Sequence, residues 1–179
     1  MLEDRNAAGL AFLDEARVRI EESVGLIHHC VEQIDDEQIW WRPRGEMNSI
    51  GNLLLHVAGN LRQRFRSDIG GEADARDRFA EFTERRHIPI VDLLATFDAS
   101  VADALARLQA LGPEALAETR STRRLGGEAE KSVLAIAFQA INHLSGHAQE
   151  ILHMTRMQLG GSYRFRNPGD VPPEMRTPG

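Results

Sequence analysis

Apolar residues that return at every seventh position commit the start of this chain to a helix. Leu13, Ile20, Ile27 and Ile34 recur at that interval, with Val24 and Val31 beside them. Glu, Arg and Asp fill the other faces, so residues from about Leu10 to Ile34 read as one amphipathic helix with a core-facing stripe. Gly9 and Gly25 weaken it slightly. Such a stripe needs partners, and the chain supplies three more of the same kind. A second helix opens at Asn48 or Ser49, either of which can accept the free N–H groups of the first turn, and carries Ile50, Leu54, Val57 and Leu61 to a stop at Gly70-Gly71. A third opens with Pro89 in its first turn, runs through Val91, Leu94, Phe97 or Asp98, Val101, Leu105 and Leu108, and ends at Gly112-Pro113. A fourth spans about Ala129 to Leu159 and is closed by Gly160-Gly161.

Between them lie three connectors. Residues 35–48 hold turn chemistry and the pair Trp40-Trp41, residues 72–87 are charged and weakly periodic with room for a helical turn, and residues 114–128 read as a loop. They are longer than minimal bundle loops and allow the helices to run in a non-consecutive order. No strand pattern and no internal repeat stand out, so the fold class is all-α, a four-helix bundle over residues 1–160. Four of the seven prolines fall in the last segment, 161–179, which reads as an extended or disordered tail or one that wraps the surface.

Composition narrows the partners. The formal net charge of -6 and the short, acid-flanked arginine clusters argue against nucleic acid. The single cysteine, Cys30, permits no intrachain disulfide, and no apolar run is long enough for a membrane span or suited to a signal peptide. The expectation is a cytoplasmic protein with no membrane and no nucleic-acid partner.

The residues able to carry chemistry are histidines. His143 and His147 lie four apart in the last helix, one turn, which places both imidazoles on one face within reach of one ion. At about 100° per residue they share a strip with Ile136, Gln139, Glu150 and Met154, away from the face centred on Leu134, Ile141 and Leu152. Imidazole suits zinc, nickel, copper or iron, and a catalytic zinc site typically has three protein ligands and an open position. The best third ligand is His56, which lies between Asn52 and Asn60 on a polar seam of an otherwise apolar helix, with Gly59 adjoining. Spacing allows this site without demanding it, since most helical histidines are surface or hydrogen-bonded core residues. His28-His29-Cys30 is a rival cluster, but neighbours on a helix point about 100° apart, which makes two part-exposed histidines and a buried thiol the simpler reading. His153 points away from the pair, and His87 reads as solvated. Asn52, Asn60, Glu150 and Gln139 are candidates for substrate or ligand support, against the plainer reading of solvation or capping. Trp40 and Trp41 read as packing at a bundle end more readily than as a substrate wall. No catalytic residue is assigned.

Trp40-Trp41-Arg42-Pro43, the run from Asn48 to Asn60 with Ser49-Ile50 and His56, and the run from Asn142 to Ile151 with His143 and His147, taken in this order, resemble the DinB/YfiT-like family. The resemblance covers roughly residues 10–158. It implies a four-helix bundle with a long crossover connection, a divalent metal, zinc or nickel foremost, held by His56, His143 and His147, and frequent homodimers. It also implies an activity: transfer of a low-molecular-weight thiol to a small electrophilic molecule. A metal-dependent hydrolase, and a non-catalytic metal- or ligand-binding stress protein, stand as alternatives.

Overall fold

The computed structural model describes residues 2–124, 127–167, 169 and 171. The fold is predominantly helical: α1 (Leu2–Val31), α2 (Ile50–Leu61), a short α3 (Arg78–Thr83), α4 (Ile90–Gln109) and α5 (Val133–Leu159), with a two-stranded antiparallel sheet of β1 (Thr119–Arg124) and β2 (Gly127–Ser132). Among the described residues no helix is long and apolar enough to cross a membrane.

The seven-residue repeat does what its period requires. Ile20 and Ile27 are fully buried, and Ala16, Cys30, Val31 and Ile34 join them in one core with Leu53, Leu54, Leu61, Phe97, Ile136 and Leu144. Burying a side chain the size of Ile27 contributes about 1.5–3 kcal/mol. Leu13 is only partly buried, where the repeat runs out toward the end of the core. α1 begins eight residues before the periodic stretch, because helix formation needs no apolar stripe once a core-anchored helix exists to extend. Gly9 has a positive role: a Cβ there would lie 2.6 Å from Pro113 Cβ, so it lets the segment after α4 close on α1.

The four long helices pack as α1 on α5 and α4, and α2 on α4 and α5. Helices adjacent in sequence, α1 and α2, or α4 and α5, are therefore not principal neighbours, which explains the long connectors between them. α2 opens on a capping box. Ser49 Oγ accepts from Asn52 N, and Asn52 Oδ1 accepts from Ser49 N, with Asn standing where Glu or Gln is usual. Trp40 is buried over Gly51, where a Cβ would sit 3.0 Å from the indole, and donates its Nε1–H to Ile88 O at 2.9 Å. Trp41 is partly exposed. His87 is exposed as expected, yet stacks on Trp40 with centroids 6.1 Å apart.

Three expectations are corrected. The second helix does not run in α geometry to Gly70-Gly71: it passes at Arg62 into a π-helical segment ending at Ile69, and Gly71 takes the positive φ of 77°. The wider turn buries Arg64 and Asp68 along with Phe65 and Ile69. The stretch read as a loop is largely β1 and β2, so α5 starts at Val133 with Ser132 as its cap rather than near Ala129. Neither strand alternates apolar and polar residues, so no period-two signal existed to find. The hairpin is tied down instead by one buried side chain: Thr122 Oγ1 donates to Asp68 Oδ2 at 2.6 Å and accepts from Arg64. The segment after α5 wraps α1, with Tyr163 buried, Arg164 N donating to Gln33 Oε1 at 2.7 Å and His29 Nε2–H donating to Arg164 O at 2.8 Å. Most of the tail expectation, positions 168, 170 and 172–179, falls outside the described residues.

Two outcomes are expected. Thr122→Val leaves Asp68 and Arg64 short of a buried partner and costs about 1–3 kcal/mol, read as a lower midpoint in urea denaturation. Cys30 is fully buried, and burial pushes its thiol above the ordinary range. It reacts with a thiol-specific chromogenic reagent at pH 8 only after the protein is unfolded; prompt reaction of the native protein contradicts this packing.

Candidate metal centre

α2 and α5 pack side by side, and this contact brings His56 to His143 and His147. One ring nitrogen from each imidazole lies within 4.8 Å of the others, and among the described residues this is the one group of histidines, cysteines and acids so arranged. The Nε2 atoms of His56 and His143 are 3.1 Å apart. Two nitrogens on a tetrahedral zinc at about 2.0–2.1 Å would be about 3.4 Å apart, close to the spacing of the His56 and His143 pair.

The outer nitrogens set which way the lone pairs face. His56 Nδ1 lies 2.9 Å from Glu81 Oε2 on α3, and His147 Nδ1 lies 2.8 Å from Glu150 Oε2. Burial pushes the Glu81 carboxyl up, but hydrogen bonds from Arg76 and His56 outweigh it, and Glu81 ends below the ordinary carboxylate range. The hydrogen bond from His147 likewise lowers Glu150. Against ionised carboxylates both Nδ1 atoms must carry the proton, and both Nε2 lone pairs then face inward. Burial, followed by the neighbouring His147, His56, Arg76 and Arg64, brings His143 down to about 3. Burial also lowers His56, more than the bond to Glu81 raises it. The three-nitrogen cluster thus disfavours protonation of its two most buried members, the state metal ligation requires. His143 Nδ1 is buried without a partner, and the ring meets His56 through its Nε2. These residues fit a divalent ion that takes nitrogen ligands, zinc and nickel included.

Glu81 is held in turn. Arg76 Nε donates to Glu81 Oε1 at 2.7 Å and its Nη2 to Oε2 at 2.8 Å, while Nη1 donates to Gln63 Oε1 at 2.9 Å. Gly59 makes this possible: a Cβ at that position would lie 2.0 Å from Glu81 Oε1. Phe82 packs on the His56 ring with centroids 4.5 Å apart. Asn52 serves α2's cap and donates to Glu81 O at 2.8 Å, holding α3 rather than substrate. Asn60, Gln139, His56 and His143 line a groove of about 780 Å³ that opens the centre toward solvent. Gln139 also accepts from Lys131 at 3.3 Å.

Of the sequence candidates, the structure joins His56, His143, His147 and Glu150, sets Asn60 and Gln139 in the adjoining groove and Asn52 against Glu81 O, and leaves the rival histidines elsewhere. His28 pairs with Asp98 at 2.8 Å, and His29 turns to the segment after α5, so the rival cluster divides over two surfaces. Glu81 and Arg76 escaped sequence reading because they lie in the charged, weakly periodic connector. The one available hint was Gly59, a small residue on the polar seam where a side chain from elsewhere needed room.

Glu81→Gln and Gly59→Ala are both expected to weaken metal affinity by about 10–100-fold with the helical content kept, measured by competition with a chromophoric chelator. Unchanged affinity in both variants contradicts the role given to Glu81.

The relatives agree with this architecture. A conserved protein from Enterococcus faecalis, known from its crystal structure, superposes with a TM-score of 0.58 at 16% identity, covering 87% of this chain and 97% of that one, a likeness of fold. No curated protein matches the chain. The family model described as "Protein of unknown function (DUF1572)" matches residues 7–166, and the chain belongs to that family.

Proposed function

We propose that this chain is a DinB/YfiT-like four-helix bundle in which His56, His143 and His147 hold zinc or nickel, and that it transfers a low-molecular-weight thiol to a small electrophilic molecule. One observation carries the reading: three imidazoles offer ring nitrogens within 4.8 Å of one another, two of them have their outer nitrogens anchored by carboxylates, His56 and His143 line an open groove, and among the described residues no fourth histidine, cysteine or acid joins the three as a ligand. A structural site closes with four protein ligands, whereas a catalytic one keeps a position for a reactant.

When bound, a divalent ion supplies Lewis acidity that favours the thiolate form of a thiol at neutral pH. The chain's residues do the rest. Glu81 and Glu150 fix the tautomers of His56 and His147, and Arg76 with Gln63 fixes Glu81. Arg64 and Arg76 place positive charge near His143, which favours an anionic nucleophile there. In the transfer, the thiolate sulfur forms a bond to the electrophilic carbon, the bond from that carbon to its leaving group breaks, and the leaving group departs with the electron pair. The thiol proton passes to solvent. A homodimer belongs to the same proposal; Leu134 and Phe138, exposed one turn apart on α5, offer an apolar face for it.

The test is elemental analysis of wild type against His147→Ala, followed by assays with a chromogenic electrophile and a panel of cellular thiols. About one ion per chain, lost in the variant, and turnover that needs both ion and thiol are expected. Equal metal in both proteins removes the site. Metal-dependent turnover without any thiol replaces the transferase with a hydrolase, and a loaded protein inert to every thiol leaves a non-catalytic binder.

A further inference from the structure

The groove beside the imidazoles gathers four arginines in a chain whose formal net charge is -6. Arg64, Arg76, Arg78 and Arg123 line it, against Asp74 and Asp77. They come from four places: the π-helical segment, the connector before α3, α3 itself and β1. Two are already committed. Arg64 is buried against Asp68 and Thr122, and Arg76 is buried against Glu81 and Gln63. The acids are occupied too: Asp77 caps α3 by accepting from Ala80 N, and Asp74 accepts from Gln63 and from Arg76 N.

Arg78 and Arg123 are different, because neither meets a carboxylate among the described residues. Arg78 lies over the Phe82 ring with its guanidinium carbon 4.8 Å from the centroid, a contact that places the head group without neutralising it. Arg123 is exposed on β1, whose position is set by the buried Thr122 next to it. The same groove holds Phe79, which is 72% exposed and therefore spends a large apolar surface on no internal contact. Two guanidiniums outside any ion pair among the described residues and a free aromatic face, in the groove that His56 and His143 also line, form a recognition surface with two chemistries.

We infer that Arg78 and Arg123 bind the anionic group of a small, partly apolar organic acid, a carboxylate or a phosphate, whose apolar body lies on Phe79 and whose reactive end faces His56 and His143. A planar guanidinium matches either headgroup with two parallel hydrogen bonds. This inference names the substrate class of the centre and rests on the reading of that centre as metal-dependent. It also explains the hairpin. β1 delivers Arg123 to a groove otherwise lined by α2, the π-helical segment, the connector before α3, α3 and α5, and the buried Arg64–Asp68–Thr122 contact holds β1 there.

The test uses the full-length protein, zinc-loaded and metal-free, with phenylacetate, phenyl phosphate and the neutral isostere phenylacetamide followed by amide chemical shifts. At least one anion should bind about fivefold or more tighter than phenylacetamide, with the difference shrinking as salt is raised. R78Q/R123Q should erase the difference and R78K/R123K should keep most of it, while Phe79→Ala should weaken anion and amide alike. Equal binding of anion and amide by wild type overturns the inference. So does a preference that survives in R78Q/R123Q, since the anion is then held by the ion or by another surface. The metal-free arm separates the two readings: an arginine-dependent preference in a protein that takes up no zinc sinks the metal centre and leaves the anion site, whereas zinc uptake through the histidines without the preference does the reverse.

Discussion

A carboxylate taken out of water needs charge-assisted partners, and Glu81 finds them in Arg76 and His56. Much of the site depends on this contact. It fixes the His56 tautomer, docks α3 on the polar seam of α2, and holds Arg76 beside the imidazoles. Leaving Glu81 without either partner would strand a charge in a region where water cannot reach it. The absence of a Cβ at Gly59 and the Asn52 hydrogen bond to Glu81 O are the local conditions that let it approach. The connector that carries Arg76 and Glu81 is therefore part of the site, although no apolar period announces it.

A second buried polar cluster, Arg64 with Asp68 and Thr122, reaches the same groove through Arg64 and fastens the hairpin. The π-helical segment matters here. Had α2 continued in α geometry, successive residues would have kept to 100° steps and Arg64 and Asp68 would have faced elsewhere. The two clusters act alike: each uses an arginine to hold a carboxylate in the interior, and each thereby positions an irregular segment against the helices. Both arginines line the groove that opens His56 and His143 to solvent.

The long helices were legible in the residues because burial imposes a period. Ile20 and Ile27, and Leu54 and Leu61, are deep in the core as their spacing requires, whereas Val91 on α4 and Leu134 on α5, both read as facing the core, are exposed, and Ile136, read as sharing the histidine strip, is buried. Helix starts and stops were less exact. Polar residues before Leu10 extend α1, and Ser132 rather than a glycine marks where α5 begins. The hairpin was illegible: Thr119–Arg124 and Gly127–Ser132 carry no alternation, since they face mostly water and are held by strand pairing and one threonine.

By itself the sequence determined four amphipathic helices and a face of α5 shared by His143 and His147, because both follow from the 3.6-residue turn, which acts locally. It also offered His56 on a polar seam of α2. Only the tertiary structure decided that α2 lies against α5, which brings the third imidazole to the pair, and that Glu81, Arg76, Arg78 and Arg123 gather around them. Those contacts join residues far apart in the chain. They are set by how four apolar stripes share one core and by where buried charges find partners, and no local period records either.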